Sequence, residues 1–275
     1  AMNGYHLVMG YITLYSDSCE MSLYNASIAD AIRGTTKIPP IVYLFMNKYT
    51  TLNRSFISWT MIPRINALFR LDRFNDIYNL FFGNDDYDVS ILEYIESIYN
   101  KSKQITLDIV ENVSVVERKN LIYAKITAEE ISKYPGVNLR NFTGVVAQKI
   151  AEQYSCTAVT VIEQHSGVYE GSVRDTLSRN LLDTFSKYIQ AAGHGPAFGI
   201  SFSYKDENTI LYTVDSELGK LKVITNYFIT DLSNATKNSD ALLMDIQLMC
   251  KFNEISGGSI PQAMCMVKID KTFKI

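Results

Sequence analysis

Between Asp88 and Val113 the chain contains neither Gly nor Pro, and Ile91, Ile95, Ile98, Ile105, Ile109 and Val113 recur at helical three- and four-residue steps. One long helix is predicted there, of the kind that joins two lobes. Ahead of it, the β-branched and aromatic run Tyr11 to Tyr15 predicts a strand that breaks at Ser16, Asp17 and Ser18. Short helices are expected at 25–33, after Pro39-Pro40 through "IVYLFMNKY", and from Phe74 to Phe82, the last stopped by Gly83. Beyond the long helix, "LIYAKIT" reads as a strand, 141–154 as a helix, "TAVTVIE" as a buried strand and 178–190 as an amphipathic helix. That alternation is an α/β order. The tail adds strand-like "TILYTV" and "KVITNYF" and an apolar helix from Asp240 to Cys250, with no internal repeat.

A length of 275 residues, 47% hydrophobic and 20% charged, is an ordinary globular make-up of about two domains. With 26 basic against 29 acidic residues, bulk charge cannot coat nucleic acid, so any such contact must be a local basic cleft. Cys19, Cys156, Cys250 and Cys265 are too scattered for a disulfide framework or a zinc knuckle. No stretch approaches the roughly 18 apolar residues of a membrane span, and the first residues lack a signal-peptide layout, so a cytoplasmic location and no membrane partner are expected. Ala1 before Met2 reads as the remnant of a cleaved tag, which leaves Met2 as a native start or a boundary.

Four segments join arginine, histidine, small or hydroxyl residues to turn or helix signals. In "GSVRD", Ser172 and Arg174 are two residues apart, so an extended chain projects both to one side, where they can share a phosphate; a β-turn with an exposed arginine is the alternative. "AGHGPAFG" sets Gly193 and two further glycines around His194, after a helix and before "ISFSY", as a close-approach phosphate loop or a plain helix C-cap and turn. "IPRINALFRLDR" offers Arg64, Asn66 and Arg70 to a nucleic-acid backbone, or else solvated arginines on a helix start. In "NFTGVVAQKIAEQY", Asn141 or Thr143 can cap a helix whose first turn holds Gly144.

In this order the segments resemble the C-terminal half of RecJ-like single-strand-specific exonucleases of the DHH phosphoesterase superfamily. "PRINALFRL" resembles that family's PRINAAGRL signature, and "LEYIESIYNKSKQI" its connecting helix. "NFTGVVAQKIAEQYSCTAVTVI" is similar to its GViGivA unit, "GSVRD" to GSxRS, and "AGHGPAFG" to the GGHxxAxG motif of the DHH-associated substrate-binding domain. The resemblance covers about 11–204. It departs at Ala192, at Leu68-Phe69 and at Asp175, where the family has Gly, Ala-Gly and Ser. With histidines only at 6, 165 and 194, the DHH motif itself is missing, as are the earlier aspartate motifs.

The resemblance implies an α/β chain: a catalytic-lobe remnant at 1–84, a linking helix at 85–118, a substrate-binding domain at 119–204 and an unassigned extension at 205–275. Such enzymes hold two Mn²⁺ or Mg²⁺ ions, of which "TLYSDSCEM" would supply one ligand, Asp17. One carboxylate cannot hold a two-metal centre, so no catalytic set is complete and the chain alone is expected to be inactive. The implied whole enzyme is a 5′–3′ single-stranded DNA exonuclease. Ser172 and Arg174 would bind the terminal 5′-phosphate, Arg64, Asn66 and Arg70 would line the cleft, and His194 with Gly193 would hold a backbone phosphate. Asn141 and Thr143 would add phosphate contacts. Two alternatives stand beside it: a non-catalytic accessory protein that pairs with a separate chain carrying the DHH motifs, and a phosphodiesterase for oligonucleotides or cyclic dinucleotides.

Overall fold

In a computed structural model the chain is described at residues 4–16, 27–28, 31, 40–46, 52, 56–82, 89–164, 167–177, 179–221, 227–231 and 264–268. It divides into two compact units, Ala1–Pro39 with Ile224–Ile275, and Pro40–Val223. The boundaries expected at 84, 118 and 204 all fall inside the second unit.

In the first unit, Gly4–Ser16 is a helix, α1. This corrects the strand expected at Tyr11–Tyr15: Val8, Tyr11 and Ile12 are buried at helical spacing, and that recurrence outweighs the β-type composition of the segment. Parallel strands β7 (Tyr227–Asp231) and β8 (Met264–Lys268) pair in the same unit; the former overlaps the expected "KVITNYF" strand only at Tyr227 and Phe228, and the rest of that segment lies outside the described residues. Asp17, most of 25–33 and the expected helix from Asp240 lie outside the described residues.

The second unit begins with short α2 (Pro40–Phe45), opened by proline as expected. A π-helical turn, Ile57–Met61, then runs into α3 (Ile62–Arg70). Helix α3 ends in a Schellman-type cap: Arg73 N–H bonds Leu68 O at 2.9 Å and Asp72 N–H bonds Phe69 O at 3.1 Å. Asp72 takes the left-handed position (φ 56°) that glycine usually fills. After α4 (Phe74–Phe82) comes the long helix, α5 (Val89–Asn112), which buries Ile95, Ile98, Ile105 and Ile109 at the expected spacing.

Six strands follow in one mixed sheet, in the order β1 (Ser114–Glu117), β2 (Leu121–Ile126), β3 (Thr157–Gln164), β4 (Val168–Asp175), β6 (Ala197–Ser203), β5 (Gln190–His194). Only β2 and β3 are parallel; their crossover carries α6 (Ala128–Ser132), a 3-10 turn at Leu139–Phe142 and α7 (Thr143–Tyr154). Thr127 and Glu130 form a reciprocal capping box that starts α6.

One sheet face packs Ile122, Ala124, Ala158 and Ile162 against Val146 and Ile150 of α7 and Ile105 and Ile109 of α5. The other packs Tyr123, Val159, Val173 and Phe198 against α8 (Leu182–Phe185) and α9 (Glu207–Leu218). Two expectations change here. "TILYTV" lies in α9, because Ile210, Leu211, Val214 and Leu218 meet the sheet at helical spacing. The helix expected at 178–190 shrinks to α8, because pairing with β6 draws Gln190–His194 into the sheet.

Candidate functional site

"GSVRD" lies within β4, and strand alternation puts Glu170, Ser172 and Arg174 on one face. It is not a turn. Ser172 is opposite Thr160 of β3 on one side; on the other its row continues through Gly199 of β6 and Ala192 of β5. Helix α7 covers the β3 half of this face. In the Ser172 row the β6–β5 floor carries only Gly199 and Ala192, with Ser201 and Gln190 in the next row, which leaves an open polar trough of about 540 Å³ walled by Arg140, Asn141, Thr143 and Glu170. Its size is that of an ordinary small-molecule site.

At the start of α7, Thr143 Oγ1 lies 2.9 Å from Ser172 Oγ and 3.0 Å from Arg140 O. Neither Asn141 nor Thr143 caps the helix, which corrects that expectation: no side chain accepts a hydrogen bond from its first amides. Asn141 is instead spent on geometry. Its amide donates to Arg70 O at 3.3 Å and to Asp72 Oδ1 at 2.9 Å, tying the end of α3 to the start of α7.

That tie brings two guanidinium groups together. Arg174 rests on Gly144, and one guanidinium nitrogen donates to Val173 O at 2.7 Å. Burial pushes Arg174 below the ordinary arginine value; burial, and after it the charge of Arg174, does the same to Arg70. Among the described residues neither is ion-paired with a carboxylate. Two neighbouring, half-buried cations carry a desolvation cost and repel one another, and an anion placed between them relieves both costs.

The other expected residues are placed as follows. Arg64 is occupied: it pairs with Glu96 at 2.7 Å, donates to Thr60 O at 2.9 Å and lies over the Tyr99 ring. Asn66 is half-buried on α3, one turn before Arg70. "AGHGPAFG" forms the β5–β6 hairpin, not a helix exit; His194 pairs with Ala197, itself opposite Arg174, so the three share one cross-strand row. Gly193 has φ 144°, and a Cβ there would strike the Phe198 backbone at 2.8 Å. Sequence reasoning missed Glu170, Arg140 and Gln190, although the period-2 rule that joined Ser172 to Arg174 also reaches Glu170. It also missed the partner of Asp175, whose carboxylate holds Arg179 at 2.9 and 3.1 Å and accepts from Thr157 Oγ1 at 2.8 Å.

No family model matches the chain. In sequence it is 24% identical over 161 residues to the single-stranded-DNA-specific exonuclease RecJ of Bacillus subtilis (strain 168), covering 56% of this chain and 20% of that protein. In structure it matches RecJ of Thermus thermophilus in complex with Mn²⁺ (TM-score 0.69, 12% identity, 96% of this chain, 40% of that one). The Mg²⁺ complex of the same protein gives TM-score 0.64 at 12% identity over 94% of this chain and 41% of that one. The chain is similar to RecJ exonucleases in sequence and in fold. It spans a fifth of the length of the curated RecJ and about two fifths of the solved ones. Those structures hold Mn²⁺ or Mg²⁺. Among the described residues of this chain, no three His, Cys, Asp or Glu side chains group as a metal site. Among the described residues no helix is long and apolar enough to cross a membrane.

Proposed function

We propose that this chain grips the 5′-phosphorylated end of single-stranded nucleic acid as the substrate-binding part of a RecJ-like exonuclease. The observation that carries the reading is the convergence of Arg70 and Arg174 beside Gly144 and Ser172, with no carboxylate among the described residues paired to either. A terminal phosphate carries more charge than an internal one and fits between two guanidinium groups, with the Ser172 and Thr143 hydroxyls as further donors. The strand then runs along the trough. In this reading 1–84 belongs to a catalytic lobe, 85–118 links and 119–204 binds substrate. Phosphodiester hydrolysis falls to a metal-ligand set of which this chain would supply only Asp17, outside the described residues.

The test compares binding of 5′-phosphorylated and 5′-hydroxyl single-stranded oligonucleotides of one sequence. Arg174→Ala should weaken the phosphorylated ligand by about tenfold or more and hardly affect the other, since a charge-assisted bond is worth roughly 1.5–3 kcal/mol. Arg64→Ala, which removes an arginine already paired with Glu96, should not discriminate the two. Equal losses for both ligands on Arg174→Ala would overturn the assignment.

A further inference from the structure

The trough holds one group that a phosphate site does not explain. Glu170 is a carboxylate in a place that otherwise offers cations and hydroxyls, and it would repel a backbone phosphate. Its partner is Arg140, whose Nε lies 3.0 Å from Oε2 and whose own side chain is 59% exposed; Oε1 makes no hydrogen bond among the described residues. In the sheet, Glu170 is opposite Ser201 of β6, which is opposite Gln190 of β5, so three polar residues form one cross-strand row at the end of the trough. Between that row and the Arg174 row lies the row of Ser172, Gly199 and Ala192, without a bulky side chain.

Strand geometry supplies a ruler. At about 3.3 Å per residue, Ser172 is about 7 Å along the strand from Arg174, and Glu170 about 13 Å. With the 5′-phosphate held by the Arg174 guanidinium and the Ser172 hydroxyl, which meet beside Gly144, a planar base can lie over Gly199 and Ala192, and the far edge of that base reaches Glu170. A carboxylate only accepts hydrogen bonds, and guanine alone among the common bases offers two adjacent donors, N1–H and the 2-amino group, to both oxygens of one carboxylate.

We infer that Glu170 reads the base of the terminal nucleotide and selects guanine. The inference rests on the 5′-phosphate reading, and goes beyond it in making the site sequence-selective. Gln190 and Ser201 border the same edge, and the ion pair with Arg140 holds the carboxylate in the trough.

The experiment measures binding of the whole chain to 5′-phosphorylated single-stranded DNA differing only in the first base: guanine, hypoxanthine (which lacks the 2-amino donor) or adenine. A 5′-hydroxyl guanine oligonucleotide is the fourth ligand. The intact protein should favour guanine over adenine by about tenfold, with hypoxanthine between. Glu170→Gln should level the three while keeping the preference for phosphate over hydroxyl. Equal affinities for the three bases with the phosphate preference intact would overturn the base reading alone. A Glu170→Gln variant that weakens all three by one factor would do the same, since the residue would then only shape the trough. Loss of the phosphate preference in the intact protein would overturn both readings. The hypoxanthine comparison needs no variant, so misfolding of Glu170→Gln cannot obscure the result.

Discussion

Arg174 and Gly144 meet so closely that a methyl group on the Gly144 α-carbon would lie 2.7 Å from a guanidinium nitrogen. The atom in the way is the far end of a flexible side chain, so the protein can accommodate the methyl by moving Arg174. Gly144→Ala should therefore leave the unfolding midpoint nearly unchanged, with the better helix propensity of Ala offsetting the contact. It should cost about tenfold in affinity for a 5′-phosphorylated oligonucleotide by displacing the cation. A loss of stability with binding retained would show that Arg174 is held for the fold and not for a ligand.

Asp175 stands where the resembling family has serine, and the structure gives the exchange a role. Its buried carboxylate takes Arg179 through Nε and Nη2 and also accepts the Arg179 backbone N–H at 2.9 Å. The loop so closed also bonds the hairpin tip, through Asp175 N–H to Pro196 O and Leu181 N–H to Gly195 O. Asp175→Ala strands a mostly buried guanidinium and should cost about 3–5 kcal/mol in a urea titration. A loss under about 1 kcal/mol would place the pair among surface ion pairs.

Local periodicity explains which features were legible in the sequence. Helix α5 and strands β2 and β3 follow directly from spacing, and so does the shared face of Ser172 and Arg174. Tyr11–Tyr15 and "TILYTV" carry β-branched and aromatic composition, but their buried residues recur at three and four residues and both are helical. The meeting of Arg70 with Arg174 was not legible at all. It depends on an asparagine that hydrogen-bonds residues 69 and 71 positions away, and on a left-handed Asp72 where glycine would have signalled a cap.

Burial raises the Cys156 thiol above its ordinary value, with the Asp175 carboxylate acting in the same direction and a backbone hydrogen bond and Arg179 opposing. A raised value means less thiolate at neutral pH, and the thiolate is the nucleophile. Alkylation at Cys156, followed by peptide mass spectrometry, should be slow at pH 7. Its rate should still be climbing at a pH where a free thiol's rate has levelled off. Rapid labelling at pH 7 would contradict this.

The Arg70–Arg174 pair predicts a trade of stability against binding. In the empty protein each guanidinium is partly desolvated and repelled by the other, so removing one charge relieves a cost. Arg70→Met keeps most of the apolar stem and removes the charge. At low ionic strength the variant should be as stable as the parent, or more stable by about 1 kcal/mol. Inorganic phosphate should raise the parent's melting temperature above its value in sodium chloride of equal ionic strength, because bound anion adds stability in proportion to RT ln(1 + [L]/Kd). In Arg70→Met that difference should vanish. Sodium chloride alone should stabilise the parent by screening the like charges and have less effect on the variant. Melting curves of both proteins in the two salts decide the matter. If Arg70→Met is destabilised by about 2 kcal/mol or more at low salt, or if phosphate stabilises both proteins alike, Arg70 is part of the packing of α3 and the anion lies elsewhere.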